Sequence, residues 1–334
     1  MSYLRKPAAA LLLAASVAAS SEPAGTAGPS GLSWVRHGIA LDLGSQGGID
    51  ERGLESPIVL REAPDRLVMW YRGRTFADNQ GRIMRAVSAD GLDWTGTGIV
   101  MEPEGPNEGS KIDPMTVARR DDGVYMMWYG AAGRGGNASL ATSADGISWT
   151  RSPRNPVLAK TSRQWDSRGA GGQHSVLRVG NRWEMIYKGF GDQEGWTHYG
   201  IARSRDGERW KKRGRRISPE PSIGENTLFR NLFAFYRDGR YYVIHAMAGR
   251  ENLNLRLLHS SNGRKWERSG IIFAKGLTPG GYDVKWATSP TLLFENGRVR
   301  MWYEGGDANG KVRLLYAETD EAAFFERALR GPEN

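Results

Sequence analysis

The chain has 334 residues, 39% of them hydrophobic and 25% charged, with a net charge of +9; this composition excludes a disordered chain and predicts a packed core. Its 44 glycines, 12 tryptophans and 12 tyrosines favour many short strands and turns over a helical bundle. The absence of cysteine excludes a disulfide scaffold, thiolate metal sites and a cysteine nucleophile. The basic residues are scattered, and the one run, Lys211 to Arg216, reads as a solvated strand edge where charge blocks edge pairing. No helix-turn-helix, finger or single-strand-binding pattern accompanies it, so nucleic acid is not an expected partner.

At the amino terminus, Arg5-Lys6 precedes an apolar stretch from Ala8 to Ala19 that ends in small residues. This predicts a leader over residues 1–30 with cleavage near Ala18 to Ser21, hence a secreted protein, the alternative being a cytoplasmic one with a frayed tail. A stretch of about twelve residues is too short to span a bilayer as a helix, so no membrane span is expected.

Beyond residue 31 one phrase recurs. Ser88-Ala-Asp90-Gly91-Leu-Asp-Trp94 returns at Ser143 to Trp149, at Ser204 to Trp210 and, with asparagine for aspartate, at Ser260 to Trp266. Before each phrase lies a strand with an aromatic pair or its equivalent: Trp70-Tyr71, Trp128-Tyr129, Ile186-Tyr187 and Ile244-His245, with a fifth at Trp302-Tyr303. A turn sits just upstream of each pair, as in Asp122-Gly123, Asp238-Gly239 and Asn296-Gly297, between segments of alternating apolar residues. Five units of four short antiparallel strands predict an all-β fold, a five-bladed β-propeller over residues 31–328 whose repeats span 32–318. The turn aspartates and tryptophans are read as structural. Gly31-Leu-Ser-Trp34 matches the end of a unit, whereas residues 319–328 have lost the phrase, so an N-terminal strand, residues 32–38, is expected to close the last blade.

Innermost strands of a propeller line its channel, where polar groups can converge on a ligand. Aligned on the aromatic pair, these segments are Glu55-Ser56-Pro57, Lys111-Ile112-Asp113-Pro114, Gly172-Gln173-His174, Phe229-Arg230-Asn231 and Thr288-Ser289-Pro290. Asp113, Glu55 and His174 are the candidate catalytic residues. Ser56, Arg72, Gln173, Lys188, Arg230, Asp283 and Trp286 are candidates for binding a small-molecule or oligosaccharide substrate. The five histidines show no metal-ligand spacing, and no phosphate loop or dinucleotide fingerprint precedes a helix, so no cofactor is expected. The sequence carries no signal for oligomeric state.

The stretch from Lys111-Ile-Asp113-Pro114 to Trp128-Tyr129-Gly130, with Ala86-Val-Ser-Ala-Asp90-Gly91-Leu-Asp-Trp94, resembles the five-bladed propeller glycosidases: the arabinanases, β-xylosidases, levansucrases and invertases, glycoside hydrolase family 43-type. The resemblance implies a carbohydrate-active enzyme that cleaves or transfers a glycosidic bond with three carboxylates, one ionised and one protonated at the same pH. Only the supporting aspartate matches, at Asp113; the other two positions hold Ser56, with Glu55 beside it, and Gly172, beside Gln173 and His174. On this basis Glu55 is read as a base acting through water, Asp113 as the residue that orients and tunes it, and His174 as an acid. A second reading makes Asp113 the proton donor of a phosphorylase, with Arg72, Arg168, Lys188, Arg230 and Lys285 as candidates to hold phosphate. A third is a non-hydrolytic propeller, a sugar-binding module or a biosynthetic enzyme. The resemblance also allows a central calcium reached through water by His245 or His174.

Overall fold

In the computed structural model the described residues are 26–27, 31–133, 136–162, 164–191, 196–220, 229–247 and 253–331. Apart from the strand β1 (Thr26–Ala27), the expected leader lies outside them. The first unit runs β3 (Gly53–Ala63), β4 (Arg66–Arg74), β5 (Gly81–Ser88) and β6 (Thr95–Met101), and the second runs β7 (Ile112–Arg119), β8 (Tyr125–Ala131), β9 (Asn137–Ser143) and β10 (Thr150–Arg151). The third holds β11 (Gly169–Val179), β12 (Arg182–Phe190), β13 (His198–Ser204) and β14 (Lys211–Ile217); the fourth holds β15 (Phe229–Arg237), β16 (Arg240–Met247), β17 (Leu255–Ser260) and β18 (Glu267–Phe273). Each pairs its strands antiparallel in sequence order.

Beyond these come β19 (Trp286–Glu295), β20 (Arg298–Gly306) and β21 (Val312–Asp320), and the outer edge of β21 is taken by β2 (Ser33–Leu41). A single parallel bridge, Val312 to Gly53, connects this group to the first unit. The chain after β21 is the helix α2 (Glu321–Leu329), capped by Asp320 accepting from the Ala323 N–H at 2.8 Å. A one-turn helix, α1 (Gly105–Glu108), precedes β7.

Hairpin turns obey the sequence chemistry. Asp238-Gly239 and Asn296-Gly297 take φ values of 50° and 76°, and 54° and 71°, the doubly left-handed geometry that fits a right-twisted hairpin. The recurring phrase forms the turn between third and fourth strands. In the first unit the Ser88 hydroxyl accepts from the Gly91 N–H at 2.7 Å and Asp90 Oδ1 accepts from Leu92 and Asp93, and the pattern repeats at Ser143, Ser204 and Ser260. The basic run lies on β14, where exposure alternates along an edge strand.

Neighbouring units share their cores. Val68, Trp70 and Ile83 pack with Val117, Tyr125 and Met127, while Trp302, Leu314 and Tyr316 pack with Met69, Tyr71 and Met84. Second-strand indoles reach across these seams: Trp70 donates to the Gly146 carbonyl at 2.9 Å, Trp128 to Gly207 at 2.7 Å and Trp302 to Gly91 at 2.8 Å. The turn tryptophan packs edge-on against the same indole, with ring centroids 6.0 Å apart for Trp94 and Trp302 and 6.1 Å for Trp149 and Trp70. First strands touch in a cycle, β3 with β7, β7 with β11, β11 with β15, β15 with β19 and β19 with β3, around a central channel. The arrangement is that of a β-propeller.

The seam gives a direct test. Gly146 has φ 71°, and a Cβ there would sit 2.9 Å from Trp70; Gly180, φ 58°, has open space around it. Gly146→Ala is expected to lose roughly 1–3 kcal/mol more than Gly180→Ala, the overpacking cost beyond the shared backbone strain. Urea unfolding with an unchanged m-value checks this.

Candidate active site at the channel mouth

The channel opens at one end into a polar cavity of about 560 Å³, and at the other into a recess of about 790 Å³ whose floor is apolar. Ionisable side chains converge at the polar mouth. Most come from two repeated positions, the start of the first strand and the residue after the aromatic pair on the second, of which a unit uses one or both. Glu55 faces Arg72, Asp113 faces Gly130, Arg230 faces Ala246 and Thr288 faces Glu304 across their hairpins.

Each inner strand carries a register shift just below the mouth, between Glu55 and Ile58, Pro114 and Thr116, Ala170 and His174, Arg230 and Leu232, and Thr288 and Thr291. A bulge re-aims the side chains beside it. It brings Glu55 to the cavity although Glu55 stands one place earlier than the proline-preceding position. The cost is left-handed backbone at non-glycine residues, φ 54° at Ser56, 34° at Asn231 and 49° at Ser289.

Of the residues expected from sequence, Asp113, Glu55, Ser56, Arg72, Gln173, Lys188, Arg230 and Trp286 all line this cavity. Arg72 pairs with both Glu55 and Asp113, and Arg74 adds a second partner for Glu55. The Ser56 hydroxyl donates to Asp113 Oδ1 at 3.3 Å. On the opposite wall Lys188 and Arg230 have no acidic partner among the described residues; burial beside the Arg230 guanidinium brings the Lys188 ammonium down to about 8. Phe190 and Trp286 supply apolar faces suited to sugar rings.

His174 and Asp283 are not brought to the mouth. The bulge in β11 presents Gln173 instead and tucks His174 behind the strand, 0% exposed, with Nδ1 2.6 Å from the Gly171 carbonyl. Burial holds its imidazole at about 4, so it is neutral at ordinary pH. Asp283, also 0% exposed, is consumed by a structural clasp: it pairs with Arg36 at 3.1 Å and accepts from the Tyr303 hydroxyl at 3.3 Å. Equivalent clasps pin the segments before other inner strands, Tyr129 donating to Glu108 at 2.6 Å and Tyr187 to Asp166 at 3.3 Å. Tyr71, Tyr129 and Tyr187 are thus core residues. Arg168 and Lys285 are exposed away from the cavity lining.

Nor do the histidines suit a cation. His245 is buried with its ring edge-on to Tyr199 and Phe229, and no cluster of metal-ligating side chains occurs among the described residues. Both His174 and His245 are 0% exposed and neither lines the mouth cavity, so neither ring meets a channel water through which a calcium could be reached.

Glu304, Lys111 and Phe190 also line the mouth and were not singled out from sequence. Glu304 was within reach of the repeat, since it follows Trp302-Tyr303 as Arg72 and Lys188 follow their own pairs.

No family model matches the chain. An uncharacterized protein of Mycobacterium tuberculosis, found in two strains, is 30% identical over 164 residues, which is 46% of this chain and 52% of the relative. The chain thus spans about half the length of the curated relatives it matches. Among solved structures, the β-1,2-mannobiose phosphorylase from Listeria innocua superposes with a TM-score of 0.68 at 12% identity, covering 88% of this chain and 99% of that one. A glycoside hydrolase gives 0.66 at 15%, covering 89% and 92%, and a GH130 mannoside phosphorylase family structure gives 0.58 at 18%, covering 80% and 84%. At such identities the likeness is one of fold: a propeller like those of glycoside hydrolases and phosphorylases.

Two measurements check this geometry. Arg72→Met leaves Asp113 without its guanidinium, while Glu55 keeps Arg74, and is expected to cost roughly 3 kcal/mol in urea unfolding, whereas Arg230→Met breaks no pair and costs close to nothing. His174, lowered from 6.5 to about 4, contributes stability that is present above pH 6.5 and lost as pH falls toward 4. His174→Gln should therefore flatten the decline of unfolding free energy across that window.

Proposed function

We propose that this chain is a five-bladed propeller, closed by Ser33–Leu41 as the outer strand of its last blade, and a carbohydrate-active enzyme that cleaves or transfers a glycosidic bond at the polar mouth. The closure reading draws on the pairing of β2 with β21 and the cyclic contact of first strands. The functional reading rests on one observation above all: Asp113 and Glu55 meet at the shared guanidinium of Arg72 inside a cavity that also offers aromatic faces. Asp113 is assigned proton transfer to the leaving oxygen. Glu55 is assigned the electrostatic support of an oxocarbenium-like transition state or, in hydrolysis, activation of water. With His174 sealed behind its strand, the acid role passes to Asp113.

A specific observation favours phosphate as the nucleophile. Lys188 and Arg230 face the mouth without acidic partners, and such cations suit an oxyanion. In that reaction a phosphate oxygen attacks the anomeric carbon, the glycosidic C–O bond breaks, and the leaving oxygen takes the Asp113 proton; a sugar 1-phosphate and a shortened saccharide result. An exported chain would meet little phosphate ester metabolism, so the leader bears on the choice.

Wild type and Asp113→Asn, assayed on aryl-glycoside and oligosaccharide panels with and without phosphate, test the proposal. Asp113→Asn is expected to lose turnover by about 10²–10⁴-fold. Turnover only with phosphate, and its loss in Lys188→Met, selects phosphorolysis; phosphate-independent turnover selects hydrolysis. Sugar binding without turnover in both proteins overturns the enzymatic assignment in favour of a binding module.

A further inference from the structure

Hydrogen bonds at the mouth form chains that cross the seams. In one chain the Asn231 N–H donates to Gln173 Oε1 at 3.3 Å, the Gln173 amide donates back to Asn231, and the Asn231 amide donates to Ser289 Oγ at 2.5 Å. In the other, the Ser56 N–H donates to Glu304 Oε1 at 2.6 Å, the Thr288 hydroxyl to Glu304 Oε2 at 3.0 Å, and the Ser56 hydroxyl to Asp113 Oδ1. A shared rule governs both: a left-handed bulge residue gives its N–H to a side chain of the preceding unit.

Glu304 differs from the other mouth carboxylates. Glu55 and Asp113 are compensated by arginine; Glu304, 7% exposed, has no cation among the described residues and is held by neutral donors alone. Both carboxylate oxygens are used, Oε1 accepting from the Ser56 N–H at 2.6 Å and Oε2 from the Thr288 hydroxyl at 3.0 Å, so the side chain is held in one orientation. The first bond sits on a residue whose φ of 54° is unfavourable for serine, and it offsets the strain.

We infer that Glu304 is a positioning residue for Asp113. It fixes Ser56 in the left-handed conformation from which the Ser56 hydroxyl orients the Asp113 carboxyl, so the last unit of the chain sets the geometry of the second. The inference rests on the reading in which Asp113 acts on the glycosidic bond. It assigns Glu304 no contact with substrate.

Kinetics and crystal structures of Glu304→Ala, Glu304→Gln, Ser56→Ala and the Ser56→Ala/Glu304→Ala double variant test it. Glu304→Ala and Ser56→Ala should each lower kcat by about 10- to 100-fold with KM little changed, the scale of a misplaced reacting group. The double variant should lose no more than either single, because both act through one relay. Glu304→Gln keeps an acceptor for the Ser56 N–H and should recover most of the kcat. Loss in Glu304→Ala without loss in Ser56→Ala overturns the relay, and a Glu304→Gln variant as impaired as alanine assigns the effect to charge and overturns positioning. Should wild type turn over no glycoside, the enzymatic reading fails and the crystal structures still decide the relay: Ser56 leaving its left-handed conformation, with its contact to Asp113 broken, in Glu304→Ala but not Glu304→Gln supports it. An unmoved Ser56 in Glu304→Ala overturns it. If Glu304→Ala does not fold, Ser56→Ala and Glu304→Gln carry the comparison.

Discussion

A four-stranded sheet has two apolar faces and no means of covering either alone, so each unit of this chain depends on its neighbours. The indole bonds make that dependence directional. A turn glycine offers its carbonyl and, lacking a Cβ, admits the indole of the preceding unit, as Gly91, Gly146 and Gly207 do for Trp302, Trp70 and Trp128. Tryptophan joins a large apolar body to one donor that must be satisfied when buried, and a bare carbonyl at the seam meets both needs. Where the second strand carries Ile186 or Ile244 this indole bond is missing, and the seams combine shared apolar clusters, Ile186 with Val243 and Ile244 with Met301, with other polar ties: the Ala234 N–H donates to Ser175 Oγ at 2.9 Å and the Trp34 indole to the Ile272 carbonyl at 2.8 Å.

With the seams fixed, the mouth becomes a rigid frame for charges. The bulges spend backbone strain to turn polar residues inward, and the tyrosine–carboxylate clasps hold the segments that lead into the inner strands. The result is a division of labour among acids that look alike in sequence. Asp283, Asp166 and Glu108 are structural, while Asp113, Glu55 and Glu304 line the cavity. The cations divide likewise: Arg72 and Arg74 pair with acids, whereas Lys188 and Arg230 have no acidic partner among the described residues.

Much of this was legible in the sequence because a repeat multiplies weak signals. One Ser-x-Asp-Gly turn means little, but its recurrence beside aromatic pairs fixed the strand order and the hairpin turns. It also brought out Asp113, Arg72 and Lys188, since each occupies a repeated slot. The same slot holds Glu304, but no recurring phrase follows it, so the fifth unit carries the weaker signal. His174 and Asp283 are placed by other causes: between Ala170 and His174 two extra residues enter β11, which changes the side chain that reaches the mouth, and Asp283 lies ahead of β19 in a segment that no strand pattern describes. Bulges leave no compositional mark when, as at Gly171-Gly172-Gln173, several residues could absorb the shift.

Between the second and third units the mouth is walled by backbone. A Cβ on Gly130 would fall 2.2 Å from the Gly172 carbonyl oxygen, and one on Gly172 would lie 3.1 Å from Gly136. Two main chains therefore abut with no room for substituents, and that arc of the rim is closed to elaboration over evolutionary time. Side chains that shape the mouth stand on the remaining arc, where the place after the aromatic pair holds Arg72, Lys188 and Glu304 in turn, so that one repeated slot sets the sign of the charge on each sector of the rim.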